Sequence, residues 1–321
     1  VAIVAGLAAI VGAGLAFAPG PAARSGDATR VILPLHSGLP AIAGKLAAAG
    51  VIRWPTVFIA AAEVSGAAHS LKAGEYNIPS HAPLAQVLMA IRAGAIVRHF
   101  VTIPEGLTSA QVAAILDAAP ELTGATPISA EGSLLPETYQ VAFGESRAHV
   151  IERMQAARNA LIQTLWPQRA AGLPYRSPEE AVILASIVEK ETALPAERPH
   201  VAAVYLNRLR TGMRLDSDPS VVYGLTGGTP LGHGLRVSEL ARLTPYNTYA
   251  VSGLPPTPIA NPGRAALEAV LQPSRSDDLY FVANGTGGHS FSSTLAAHLK
   301  NVARWRLIER SQVESGSGGG G

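Results

Sequence analysis

Between Ala181 and Val188 seven of eight residues are apolar, and Glu189, Lys190, Glu191 and Thr192 follow at once. Just upstream, Ser177 suits an N-cap, Pro178 the first helical position, and Glu180 the third position of a capping box. Pro195 supplies the stop. A helix that is apolar around most of its circumference must be buried on most sides. The chain therefore has to build a core around residues 177–192, and this helix delivers two carboxyl groups to the edge of that core.

Helical phase separates the two. Glu189 and Glu191 lie roughly 200° apart around the axis, so they cannot share a face. Glu191 falls in one stripe with Leu184, Ile187 and Val188, whereas Glu189 follows Val182, Ala185 and Ser186. A carboxyl against apolar walls has its charged form disfavoured, and so it can hold a proton near neutral pH. That is the requirement for a general acid. The alternative is that Glu191 emerges into solvent at the helix end, or pairs with an arginine such as Arg208.

The chain has 321 residues, 48% hydrophobic and 15% charged, which suits two modest domains with additions. A net charge of +2, with Lys and Arg scattered singly, gives no case for nucleic acid. The absence of cysteine excludes disulfides, zinc-thiolate sites and thiol nucleophiles. Val1–Ala18 carries no charged or polar side chain and ends at Pro19-Gly20-Pro21. At about 1.5 Å per residue it is roughly 27 Å long, near the hydrocarbon thickness of a bilayer. We expect a transmembrane anchor over 1–18, with cytoplasmic charges preceding Val1. A cleaved signal peptide is the rival, since Ala16-Phe17-Ala18 has a small-x-small pattern, and a buried soluble helix is a third reading.

Residues 19–30 read as a linker rich in Pro, Ala and Gly. A strand over 31–38, helices over 39–50 and 54–63, a strand over 71–78 and a helix over 84–92 closed by Gly94 follow. Residues 97–119 echo the strand, Pro, Gly, helix order of residues 31–49, as small wall-binding modules do and as many αβ proteins do. Residues 141–167 read as a polar surface helix. Asp216, Asp218 and Pro219 read as turn residues after a helix ending at Gly212. The glycine-rich tail, 311–321, is expected to be disordered.

Several short strings occur together in order: Lys72–Tyr76, Ile103–Gly106, Glu131–Tyr139, Ala185–Thr192, Asn207–Leu209, Met213–Tyr223, Tyr246–Tyr249, Gly253–Gly263 and Tyr280–Ser292. In these the chain resembles the endolytic murein transglycosylases, the MltG/YceG-like family. The resemblance implies an α+β protein, single-pass in the bacterial inner membrane, with a LysM-like αβ subdomain over 31–96 and an extracytoplasmic domain over 97–310 in which the buried helix carries the essential glutamate. It also implies cleavage of the β-1,4 bond after N-acetylmuramic acid in nascent glycan strands, with the muramic C6 hydroxyl attacking to leave a 1,6-anhydro end. The essential glutamate maps onto Glu191, the residue that helical phase favours. Implied partners are peptidoglycan strands and the synthases and penicillin-binding proteins that make them. No cofactor is implied.

Around Glu191 we expect a sugar cleft. Tyr246, Asn247 and Tyr249 can stack on or hydrogen-bond to acetamido sugars, and the prolines of 253–263 can stiffen a cleft wall. A structural loop is the plain alternative. Asp218 is expected to orient an arginine or a sugar hydroxyl, and Glu137 and Tyr139 to lean into the same cleft; the family more commonly shows Asp where Glu137 stands. His289 follows a glycine turn without the lysine of a phosphate loop or the companions of a metal site, so a substrate-contacting or structural role is expected. Two other functions remain open: a muramidase-like hydrolase using water, and a non-catalytic wall-binding scaffold.

Overall fold

A computed structural model of the protein describes residues 14–34 and 36–317. Most of the expected membrane segment and the last glycines lie outside them. Among the described residues no helix is long and apolar enough to cross a membrane. The fold is α+β, with three two-stranded sheets. The chain divides into two units, the first formed by residues up to 101 with 119–125 and 139–147, the second by 102–118, 126–138 and the remainder from 148.

In the first unit, β1 (Ala28–Leu33) pairs antiparallel with β2 (Gly74–Pro79), setting Val31 opposite Tyr76. Between them run α1 (Leu39–Ala48) and α2 (Pro55–Val64), and α3 (Leu84–Ala93) follows. Val31, Leu33, Leu46, Phe58, Tyr76, Val87 and Ile91 make the core. Gly94 ends α3 in the left-handed conformation at φ 74°, as a side-chain-free residue should. The segment expected to be a loose linker is instead tied down: the Gly20 N–H donates to His81 O at 3.1 Å and the Ser80 N–H to Asp27 O at 2.8 Å. Its last residues belong to β1, because Ala28-Thr-Arg finds a partner edge in β2 that sequence composition does not reveal.

The chain passes between the units along β3 (His99–Thr102) and β4 (Thr138–Val141), which pair with each other. In the second unit come α4 (Ser109–Ala118), α5 (Arg147–Leu165), α6 (Pro178–Glu191), α7 (Arg198–Thr211), α8 (Asp218–Thr226), α9 (Val237–Leu240), α10 (Arg264–Leu271), the hairpin β5 (Tyr280–Ala283) and β6 (His289–Ser292), and α11 (Leu295–Ser317). Three expectations change here. Residues 141–167 are not one surface helix: Val141 ends β4, and α5 buries Val150, Ile151, Met154, Leu161 and Ile162. Asp218 opens α8 instead of a turn, with Pro219 in its first turn. The last helix continues to Ser317, because no breaker precedes Gly316.

Helix α6 is the centre of the second core. Every residue from Ala181 to Val188 is buried, and α7 and α10 pack against it. Ser177 Oγ accepts the Glu180 N–H at 3.3 Å, while the Glu180 carboxylate reaches one residue further back than a standard capping box, to the Arg176 N–H at 2.6 Å. Ser186, the one polar residue in the run, donates to Ile183 O at 2.7 Å and accepts the Ile259 N–H at 3.0 Å, pinning the 253–263 loop to the helix.

Asn261 locks the same loop. It is fully buried; its Oδ1 accepts the Leu134 N–H at 3.0 Å, and its Nδ2 donates to Leu107 O and Ser109 Oγ, both at 3.1 Å. N261A would leave the buried Leu134 N–H without its acceptor, while Leu107 O keeps the backbone N–H of residue 261 at 2.8 Å. It should cost about 1–3 kcal/mol in chemical denaturation, with an unchanged m-value.

Candidate active site

The four polar residues that end α6 take four separate roles. Glu189 turns inward. Its Oε1 lies 2.9 Å from Arg198 Nη2 and its Oε2 accepts the Gly263 N–H at 2.9 Å, so it joins the start of α7 to the start of α10. Burial pushes its carboxyl pKa up, against the pull of Gly263 and Arg198. Lys190 donates to Gly106 O at 3.2 Å. Thr192 leaves the helix in an extended conformation, and its Oγ1 accepts the Leu194 N–H at 3.1 Å. Glu191 opens onto a cleft.

Two hydroxyls hold the Glu191 carboxyl. Tyr205 Oη, from the buried face of α7, donates to Oε1 at 2.7 Å, and Ser217 Oγ donates to the same oxygen at 2.6 Å. Ser217 occupies the N-cap position of α8 but caps nothing with its side chain, since its hydroxyl is spent on Glu191. The serine is itself fixed: its N–H donates to Thr248 Oγ1 at 2.9 Å, and its C=O accepts from Ser220 Oγ at 2.7 Å. Among the described residues nothing hydrogen-bonds to Oε2. Burial raises the Glu191 pKa; the Ser217 and Tyr205 hydrogen bonds oppose this, and the Asp218 charge adds to it. Arg208 does not neutralise Glu191; its guanidinium is committed to Leu279 O and Leu215 O, at 2.6 and 2.7 Å.

Glu191 lines an open cleft of about 440 Å³ with Thr192, His289, Trp305 and the glycine turn 285–288. That turn is shaped by Asn284, whose Oδ1 accepts the N–H groups of Thr286 and Gly288 at 2.9 and 3.2 Å. His289 Nδ1 lies 2.7 Å from Glu197 Oε2, and the His289 N–H donates to Glu197 Oε1 at 2.9 Å.

Of the residues expected around the site, only Glu191 and His289 share this cleft. Asp218 lines another cavity, of about 320 Å³, with Lys190, Tyr223 and Ile259, and its Oδ1 accepts from Tyr249 Oη at 2.7 Å. Tyr246 Oη is bonded to Thr257 Oγ1 at 2.7 Å, and its ring packs edge-on against Tyr223. Asn247 is a correction: it is fully buried, its Nδ2 donates to Leu240 O and Arg242 O, and its Oδ1 accepts the Tyr249 N–H, so no group is left for a sugar. Glu137 is exposed, and its C=O accepts the Ile103 N–H at 3.0 Å. Tyr139 belongs to the first unit, where strand alternation buries it with Val141. The proline loop is largely interior, with Pro255 and residues 259–263 buried.

Sequence reasoning missed Tyr205, Ser217 and Glu197. A signal existed for Tyr205: a tyrosine within an apolar helix run must find a partner for its hydroxyl. None existed for Glu197, whose partner lies 92 residues away.

A model of the YceG-like family matches residues 31–304. Over 173 residues the chain is 35% identical to a Bacillus subtilis protein named endolytic murein transglycosylase, covering 53% of this chain and 46% of that protein. A Streptococcus pneumoniae protein of the same name is 26% identical over 331 residues, covering 88% of this chain and 59% of that one. The chain thus spans about half the length of the curated relatives it matches. The 2.6 Å crystal structure of a putative YceG-like protein from Listeria monocytogenes aligns with a TM-score of 0.54 and 30% identity, over 86% of this chain and 99% of that one. With most of its length matched by the family model and a solved relative of the same description, this chain belongs to the YceG-like family.

Proposed function

We propose that the chain is a lytic transglycosylase of peptidoglycan that cleaves the β-1,4 bond after N-acetylmuramic acid and leaves a 1,6-anhydro end, with Glu191 as proton donor. The observation that carries this reading is the Glu191 carboxyl itself: its pKa is raised by burial, Tyr205 and Ser217 hold Oε1, and Oε2, beside an open cleft, takes no hydrogen bond from the described residues. Two donors on Oε1 leave Oε2 as the oxygen that carries the proton, aimed at a leaving glycosidic oxygen. A retaining hydrolase would need a second carboxylate free to bond the sugar. The nearby candidates are occupied, Glu197 by His289 and Asp218 by Tyr249. The relatives named endolytic murein transglycosylase support the same reaction class.

The strand–helix–helix–strand order of the first unit fits a LysM-like module that holds glycan strands. The apolar run Val1–Ala18 fits an anchor that keeps the chain on the outer face of the bacterial cytoplasmic membrane, near the synthases that extrude its substrate.

E191Q should lower cleavage of purified glycan strands by about 10³-fold or more, and mass spectrometry of wild-type products should find anhydro ends. Reducing ends would identify a hydrolase, and cleavage by E191Q at the wild-type rate would remove Glu191 from the chemistry.

The same variant reports on burial. A folded-state pKa above the unfolded one means that protonated Glu191 adds stability in acid, and that this contribution is lost as pH rises through the raised value. The amide stays neutral and can accept both hydroxyls at its oxygen. E191Q should therefore melt near the wild-type temperature in acid and a few degrees above it at pH 8, read by calorimetry.

Y205F and S217A each remove a donor that favours the ionised carboxyl. The alkaline limb of the activity profile should move up by about one pH unit in either variant, with a lower rate because Glu191 is less firmly held.

A further inference from the structure

The cleft contains a second proton-transfer group that a single-carboxyl mechanism leaves unused. His289 opens β6 immediately after the glycine turn and faces the same space as Glu191. One carboxylate grips it twice, at Nδ1 and at the backbone N–H, and Phe281 meets its ring edge-on with centroids 5.2 Å apart. Gly288 makes the grip possible, since a Cβ there would fall 2.5 Å from Glu197 Oε1. Both the orientation of the ring and the approach of the carboxylate are therefore built into the turn.

The carboxylate also decides the tautomer. Burial opposes ionisation of Glu197, but hydrogen bonds from the His289 ring and backbone hold its pKa below the usual range. An ionised carboxylate can only accept, so Nδ1 carries the ring proton and the neutral imidazole keeps its lone pair on Nε2. Among the described residues no hydrogen bond is made to Nε2. The titratable groups facing the ring are Glu197, from the turn before α7, and Glu191, at the end of α6. Its other neighbours, Phe281, Phe291 and Trp305, carry no charge.

We propose, resting on the transglycosylase reading, that His289 Nε2 is the acceptor of the attacking hydroxyl's proton and that Glu197 is its positioning residue. Glu191 gives its proton to the leaving oxygen as the glycosidic C–O bond breaks. The muramic C6 oxygen bonds to the anomeric carbon, and its proton passes to Nε2. Glu191 is left as a carboxylate and His289 as an imidazolium. Solvent exchange then returns a proton to Glu191 and removes one from His289, so none is consumed. Acid and base are thereby separate groups, both ready before the reaction starts.

The test is the pH dependence of kcat and KM for the full chain on uncross-linked glycan strands, with ends identified by mass spectrometry. If one carboxyl did all the work by starting protonated, activity would only fall as pH rises. The two-group cleft predicts a bell, with an acidic limb from His289. H289Q should lower kcat by roughly 10²–10³-fold, leave KM within a few-fold, and lose the acidic limb. E197Q keeps the ring but weakens the grip that orients it, so kcat should fall while KM stays within a few-fold. Added imidazole should restore part of the rate of H289A, which a merely structural histidine would not allow. Melting curves identify variants that fold, and E197Q carries the test should H289Q not fold. A wild-type profile without an acidic limb, an H289Q profile that keeps it, or an unchanged kcat in E197Q overturns the proposal. Failure of the underlying reading looks different: reducing ends in the wild-type products at every pH.

Discussion

Burial of α6 on all sides is the constraint from which the rest of the second unit follows. Eight consecutive residues without a solvent face leave the helix no freedom to rotate or slide, because any shift would expose apolar area or open a cavity. The last turn is therefore delivered to a fixed place. A buried helix must also dispose of its polar neighbours. Ser186 does so by binding the 253–263 loop, and Glu189 by tying Arg198 and Gly263 together, which places the starts of α7 and α10. Rigidity at the site is thus a consequence of packing that begins well away from it.

Glu191 profits from this rigidity in two ways. Its environment resists ionisation, which keeps a proton available, while Tyr205 and Ser217 keep the group from swinging away and determine which oxygen faces the cleft. These effects oppose each other energetically, since burial favours the acid and the hydroxyl donors favour the carboxylate. Their balance sets how readily the carboxyl gives up its proton. Ser217 shows the compromise: it gives up the side-chain cap of α8, and the backbone there is held instead by Thr248 and Ser220.

The glycine turn opposite Glu191 is the second element of the cleft. Its geometry comes from Asn284 acting on the turn's own backbone and from Glu197 gripping His289, two anchors that need closely approaching main chain. Glycines here serve proximity, allowing a carboxylate from 92 residues away to meet both the ring and the backbone of one histidine. The Glu189–Arg198 pair and the Glu197–His289 pair flank the start of α7, one tying it to the start of α10 and the other to the glycine turn.

Much of this was legible in the amino-acid sequence. Capping residues and apolar run defined α6, and helical phase separated Glu191 from Glu189, because both depend only on neighbours within a few turns. The same local signals placed α3 and its stop at Gly94. Strand partners were not legible: β1 begins at Ala28 because β2 lies beside it, and β4 ends at Val141 although the residues beyond suggested a helix from that point. Nor was the difference between a surface loop and an interior clamp. Asn247 and the 253–263 segment carry polar and proline residues that suit a sugar cleft, yet their hydrogen bonds are consumed by distant backbone. The sequence by itself determined that Glu191 would leave the buried helix on a different face from Glu189, since periodicity is a property of the helix alone. Only the tertiary structure decided what would hold that carboxyl and what would face it, because Tyr205, Ser217, Glu197 and His289 meet it or one another through folding of the whole unit and not through any local pattern.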